Sequence, residues 1–127
     1  MKIIKNRAIV CLTLLAILAM VQTAYADKSS VTISAPETVS RGTEVTVRLT
    51  VTHSGNNFFH YTNWVIFKVN GKEFSRWDFT SKNRAEDSSF VREAKILVGE
   101  PIELVAEANC NLHGSKGPAK HAIAVKE

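Results

Sequence analysis

Residues 44 to 51 read EVTVRLTV, with Val45, Val47, Leu49 and Val51 on one side and Glu44, Thr46, Arg48 and Thr50 on the other. Side chains of an extended chain alternate with a period of two, so this stretch specifies a strand with one dry face and one wet face. Such a strand needs hydrogen-bonding neighbours and a second layer to cover its apolar side. The rest of the chain supplies both. TNWVIFKV (62 to 69) is rich in β-branched and aromatic residues, and Asn70-Gly71 joins it to KEFSRWDF (72 to 79) as a tight hairpin. SFVREAKILV and PIELVAEANC follow, divided at Gly99-Glu100-Pro101, and HAIAVK closes the set. Upstream, VTISAPETVSRG reads as a short strand, a turn at Pro36 and an edge segment ending at Gly42. No window beyond residue 26 carries a helical stripe. The pattern predicts an all-β chain: an immunoglobulin-like β-sandwich of about seven strands.

The first 26 residues follow different rules. Lys2, Lys5 and Arg7 precede an apolar run from Ala8 to Val21, and Ala24-Tyr25-Ala26 offers the small-x-small pattern of a processing site. This is the grammar of a secretory signal peptide, and the run is shorter than the roughly 20 residues of a membrane span. Residues 1–26 are therefore expected to be removed, leaving one domain over 27–127 in the periplasm or outside the cell, with no membrane insertion. The whole chain has 16 basic and 12 acidic residues and a net charge of +4. Three of the basic residues leave with the leader, so 13 against 12 remain and the charge falls to +1. A balance so close to neutral gives no footing for nucleic acid.

The leader also takes Cys11, which makes Cys110 the one cysteine of the domain. An unpaired thiol cannot close an intramolecular disulfide, and in an exported chain it marks packing, a reactive thiol or a metal ligand. Ile102, Leu104, Ala106, Ala108 and Cys110 share one face of their strand, which puts the thiol in register with the core where the strand meets a glycine-containing turn. His113 rides on that turn. His53 and His60 flank the SGNNFF loop, and His121 lies in the final segment. A thiolate with several imidazoles suits iron, copper or zinc and is ill matched to Mg²⁺ or Ca²⁺. Both methionines, Met1 and Met20, lie in the leader, which disfavours a copper site with an axial thioether. A Cys–His nucleophile is the competing chemistry, although no third orienting group accompanies the pair.

CNLHG (110 to 114), following an IELVAEA strand, resembles the end of the iron domain of superoxide reductases, the neelaredoxin and desulfoferrodoxin family. SAPETVSRGTEVTVRLTV and HYTNWVIFKVNGKE are similar to further stretches of the same domain, so the likeness runs from about Asp27 to Gly114. The resemblance implies a mononuclear iron, cycling between Fe²⁺ and Fe³⁺, held by four equatorial histidines and an axial cysteine thiolate. Carried across residue by residue, Cys110 is the axial thiolate and His113, His60 and His53 are metal ligands. Lys28 matches a lysine that acts on the substrate. The chain departs from the family at the next position, where Ser29 stands in place of the first ligand histidine. His121 is the one histidine left to replace it, and three imidazoles with a solvent-filled gap is the favoured expectation.

The implied activity is one-electron reduction of superoxide to hydrogen peroxide, with electrons drawn from a separate donor protein. A thiolate opposite an open position raises the electron density at the metal, and a nearby lysine attracts the small anion. The alternatives from other classes are a metal-binding or electron-carrying sandwich without that activity, and a plain interaction module.

Overall fold

The computed structural model describes residues 27–127; the expected signal peptide at 1–26 lies outside them. Among the described residues there is no helix, and eight strands run in order: β1 Ser30–Ser34, β2 Thr38–Ser40, β3 Thr43–Thr52, β4 Thr62–Val69, β5 Lys72–Asp78, β6 Phe90–Val98, β7 Ile102–Cys110 and β8 Ala119–Lys126. They form a three-stranded sheet, β1-β3-β6, and a five-stranded sheet, β2-β8-β7-β4-β5. Every pairing is antiparallel except β2 with β8. The all-β sandwich is thus the observed architecture, with eight strands. The short strand and the edge segment on either side of Pro36 are β1 and β2, and they serve different sheets. Proline cannot donate to a ladder, so the chain leaves β1 there and crosses to pair β2 with β8.

The alternation seen in the sequence is the burial pattern of the fold. Val45, Val47, Leu49 and Val51 of β3 are buried while Glu44, Thr46 and Arg48 face water. Leu104, Ala106, Ala108 and Cys110 of β7 oppose them, and Val65, Phe67 and Ile123 complete the layer between the sheets. Asn70 and Gly71 both have positive φ, 50° and 80°, the two left-handed residues of a type I′ turn. Their twist matches that of β4 and β5 and fixes the register of the hairpin.

The loop between β5 and β6 is fastened from outside. Arg92 binds the Glu86 carboxylate at 2.9 Å and stacks over Phe90 and Phe79, its guanidinium carbon 4.8 and 5.5 Å from the ring centres. The same bidentate hydrogen bond holds the Glu86 carboxyl below the usual carboxylate range.

Candidate metal centre

Four inward-facing positions end together at one mouth of the sandwich. His53 continues the buried row of β3 two residues past Val51, and Cys110 ends the buried row of β7. Thr62 opens β4 opposite Cys110, and Ser29 precedes β1 on the face that carries Val31. The last layer of the core is therefore polar: His53 is 5% exposed, Thr62 4%, Cys110 1% and Ser29 0%. A polar layer at the end of an apolar core must find partners, because an unpaired buried polar group costs about 1–3 kcal/mol. No buried side-chain nitrogen or oxygen among the described residues lacks one.

The loops bring the remaining imidazoles over this layer. The ring centres of His53 and His60 lie 4.6 Å apart, and those of His60 and His113 lie 5.0 Å apart, each pair edge to face. His60 Nε2 is 3.3 Å from His113 Nδ1, which is in turn 3.8 Å from Cys110 Sγ. Donor atoms of His53, His60 and Cys110 all fall within 4.8 Å of one another. The three histidines form a row over the thiol, His60 in the middle.

Backbone contacts hold each donor. His53 Nδ1 is 2.7 Å from the Gly55 carbonyl oxygen, and Nε2 is 3.0 Å from the Asp27 carbonyl oxygen. A neutral imidazole has one N–H. With that proton on Nδ1 and donated to Gly55, Nε2 is the atom left to ligate a metal, which would then take the place of the contact with the Asp27 carbonyl. His60 is placed by Asn57, whose Oδ1 accepts the backbone N–H groups of Phe59 and His60 at 2.9 and 3.0 Å. Asn111 ties the two loops together: its Oδ1 accepts Tyr61 N–H at 2.9 Å and its Nδ2 donates to the Phe59 carbonyl at 3.0 Å. The turn carrying His113 is closed by reciprocal backbone bonds between Cys110 and Gly114, with Gly114 at φ 85°.

The segment Asp27-Lys28-Ser29 spans the remaining side of the cluster. Asp27 reaches His53 as described, and Ser29 N–H donates to the Gly114 carbonyl at 3.3 Å, beside His113. Ser29 therefore does border the site. Its hydroxyl, however, is 2.7 Å from Thr62 Oγ1 and is engaged there. Lys28, between the two, is exposed and makes no ion pair among the described residues.

His121 is not brought into the cluster. It pairs with Leu104, and its Nε2 bonds the Pro36 carbonyl at 3.0 Å. Cys110 lies six positions further along β7, which at about 3.3 Å per residue is on the order of 20 Å away. The strand register that fixes HAIAVK overrides the freedom of the glycines before it. Gly55, Asn57, Thr62 and Asn111 were not among the residues singled out from sequence. The glycine and two asparagines between and beside the histidines were the available signal, as loop residues that bond backbone; nothing in the sequence points to Thr62.

The desulfoferrodoxin family model matches residues 21–115, most of the chain and all four clustered donors. The chain belongs to the desulfoferrodoxin family. Among solved structures, it resembles the superoxide reductase (neelaredoxin) of Ignicoccus hospitalis, with 24% identity, 81% of this chain and 85% of that chain covered, and a TM-score of 0.64. It also resembles the CARDB domain of a Pyrococcus furiosus protein in complex with di-metal ions, with 13% identity, 79% and 94% coverage and a TM-score of 0.58. The sulfur carrier protein SoxY of Chlorobium limicola shares 14% identity over 76% of this chain and 79% of its own, with a TM-score of 0.50. No curated protein matches the sequence. One sandwich thus serves several chemistries, so the site must carry the functional argument.

Desulfoferrodoxins bind mononuclear iron, and the donor set fits that metal. A thiolate and imidazoles together favour first-row transition ions. Donors sharing one ion, each about 2.0–2.3 Å from it, lie about 3–3.5 Å from their neighbours, close to the His60–His113 and Cys110–His113 separations.

Proposed function

We propose that the protein is an exported superoxide reductase, converting superoxide to hydrogen peroxide at an iron held by His53, His60, His113 and Cys110. The observation that carries this reading is the row of three imidazoles over a buried thiol at the mouth of the sandwich. The iron supplies one electron per superoxide. The protein's own groups do the rest. Cys110, 1% exposed, is shielded from oxidants and from a second thiol. The Gly55 and Asp27 carbonyls hold the His53 ring, and Asn57 and Asn111 hold the His60 and His113 loops in one arrangement. Lys28, exposed and unpaired at the border of the cluster, attracts the anionic substrate and stands ready to donate a proton to the reduced product.

Ser29 favours a second reading: a metal-binding or electron-carrying domain without superoxide reductase activity. With its hydroxyl bonded to Thr62, it offers no fourth imidazole and no free oxygen donor. The experiment that separates the two is rapid mixing of the reduced iron protein with superoxide. Hydrogen peroxide formed in equal amount to the superoxide consumed, with no dioxygen released, supports the reductase. A blue, redox-active protein that leaves superoxide to decay at its spontaneous rate supports the carrier.

A further inference from the structure

Both sheets have open edges, and the edges are not alike. β5 borders the five-stranded sheet, where a register shift between Phe67 and Lys68 interrupts its ladder with β4. Its charges are satisfied within the strand, since Arg76 bonds both Glu73 and Asp78. Bulges and charged side chains are the usual means of blunting an edge, and so is a short strand such as β1, with five residues. β6 is built otherwise. It runs nine residues, Phe90–Val98, in unbroken register with β3, and no described strand lies on its other side.

The direction of its free backbone groups follows from one bond. Gly42, at φ 82°, donates its N–H to the Val98 carbonyl at 2.8 Å, so Val98 addresses β3. In an antiparallel ladder the N–H and C=O of one residue point the same way, and those of the next residue point the other way. Ala94 and Ile96 therefore bond β3, while Val91, Glu93, Lys95 and Leu97 turn their backbone groups outward. The Val91 carbonyl agrees with this: it accepts the Arg92 guanidinium at 2.8 Å and keeps a second lone pair. The side chains of the same four residues share the outer face of the sheet. Leu97 is 74% exposed there and Val91 is half-buried. Glu93 and Lys95 are exposed and enter no ion pair among the described residues.

We propose that β6 is the interface with a second copy of this chain, the two strands pairing antiparallel about a two-fold axis at Ala94. A two-fold contact uses the same patch on both copies, so the strand must be complementary to itself. Centred on Ala94, it is. Glu93 of each copy meets Lys95 of the other, and Val91 meets Leu97, so the charges are opposite in sign and the exposed leucine gains an apolar neighbour. A centre at Glu93 or at Lys95 would set like charges against each other. A slip by one residue would set outward groups against residues already bonded to β3. The Ala94 register adds about eight ladder bonds and joins the two three-stranded sheets into one. Phe90 lies opposite Val51 at the metal-centre end, and Val98 lies opposite Thr43 at the far end. Antiparallel pairing therefore sends the two mouths to opposite ends of the joined sheet. The pairing is independent of the chemistry at the metal centre.

The test is sedimentation equilibrium of the iron-loaded protein over a wide range of concentration. The wild type should be a dimer that dissociates on dilution. Lys95→Glu and Glu93→Lys each turn both charge pairs into like-charge pairs, and each should raise the dissociation constant by about tenfold or more. The exchange Glu93→Lys/Lys95→Glu restores opposite signs and should restore the dimer. Hydrogen exchange reads the same edge: the Glu93, Lys95 and Leu97 amides should slow as concentration rises, while Ala94 and Ile96 stay slow throughout. A wild type that is monomeric at every concentration overturns the proposal. So does a dimer that either single reversal leaves intact, since its contact lies elsewhere, and so does an exchanged variant as weak as the single ones.

Discussion

The Ser29 hydroxyl lies 2.7 Å from that of Thr62, and both residues are buried. Thr62 is paired across the sheet with Cys110, and Ser29 abuts Gly114, so this hydroxyl pair closes the side of the metal centre where the family resemblance expects a histidine. The departure at Ser29 is thus a built feature with its own partner, and restoring histidine is more than filling a gap. Ser29→Ala should destabilise the fold by about 1–3 kcal/mol, because Thr62 then holds an unanswered hydroxyl. Ser29→His should also cost about 1–3 kcal/mol in the metal-free protein, since an imidazole exceeds the space of a fully buried serine. It should nonetheless tighten iron binding. Thermal unfolding with and without iron separates the two effects; a Ser29→His variant that gains nothing from iron over the wild type removes this position from the site.

The thiol can be tested directly. Cys110→Ser should abolish the thiolate-to-metal charge-transfer absorption of the oxidised protein and leave the far-ultraviolet circular dichroism of the β fold in place. The change is nearly isosteric, so structural loss is small, and the spectrum reports on the ligand alone. Persistence of the band would show that Cys110 is only a packed side chain.

Lys28 should act on substrate. A protonated lysine is repelled by a metal cation, and Lys28 is exposed beside the cluster. Lys28→Ala should slow the reaction with superoxide and weaken its dependence on ionic strength, at unchanged iron content. Stopped-flow rates at several salt concentrations, with iron measured by elemental assay, check both halves; iron lost on this change would mean that Lys28 shapes the metal site itself.

The fold was legible because β3 and β7 alternate cleanly, and because Asn70-Gly71 admits one turn type. Period two even placed Cys110 on the core face. The same period runs on to His53, two steps beyond Val51, which the sequence shows only as flanking the SGNNFF loop. What the sequence did not reveal was set by tertiary contact. The parallel pairing of β2 with β8 joins residues more than 80 positions apart. Thr62 became a site residue only when Ser29 met it across the mouth. The glycine-rich approach to β8 left His121 open as a ligand, and only the β7–β8 register decides where it points.

Gly55 offers a test of how the second layer of contacts supports the site. Its carbonyl accepts from His53, and a methyl group at its Cα would collide with the His60 ring, against Nδ1 first. The ring cannot retreat freely, because Nε2 already faces His113. Gly55→Ala should therefore displace one donor and loosen iron by about 10–100-fold, as for other losses of ligand support, with little change in the stability of the metal-free domain. Metal competition with a chromophoric chelator measures this; an unchanged affinity would show that the loop has slack that the contacts do not reveal.

His121 provides the matching control at the far end of the same strand pair. Its imidazole bonds the Pro36 carbonyl at 3.0 Å and its backbone is locked opposite Leu104, so no loop movement short of unzipping β8 carries it to Cys110. Detaching β8 would expose Ile123, which is 1% accessible, and would strip β2 of its partner strand. Burying one such side chain is worth about 1.5–3 kcal/mol, a cost that a single additional imidazole would have to recover in a site already offering four donors. His121→Ala should leave iron affinity and the charge-transfer spectrum unchanged, and should lower stability by about 1 kcal/mol through the lost hydrogen bond to the Pro36 turn. Iron titration and chemical unfolding of the same variant give both numbers. A large loss of iron with stability intact would place the tail in the metal centre and overturn the strand register as the element that excludes it.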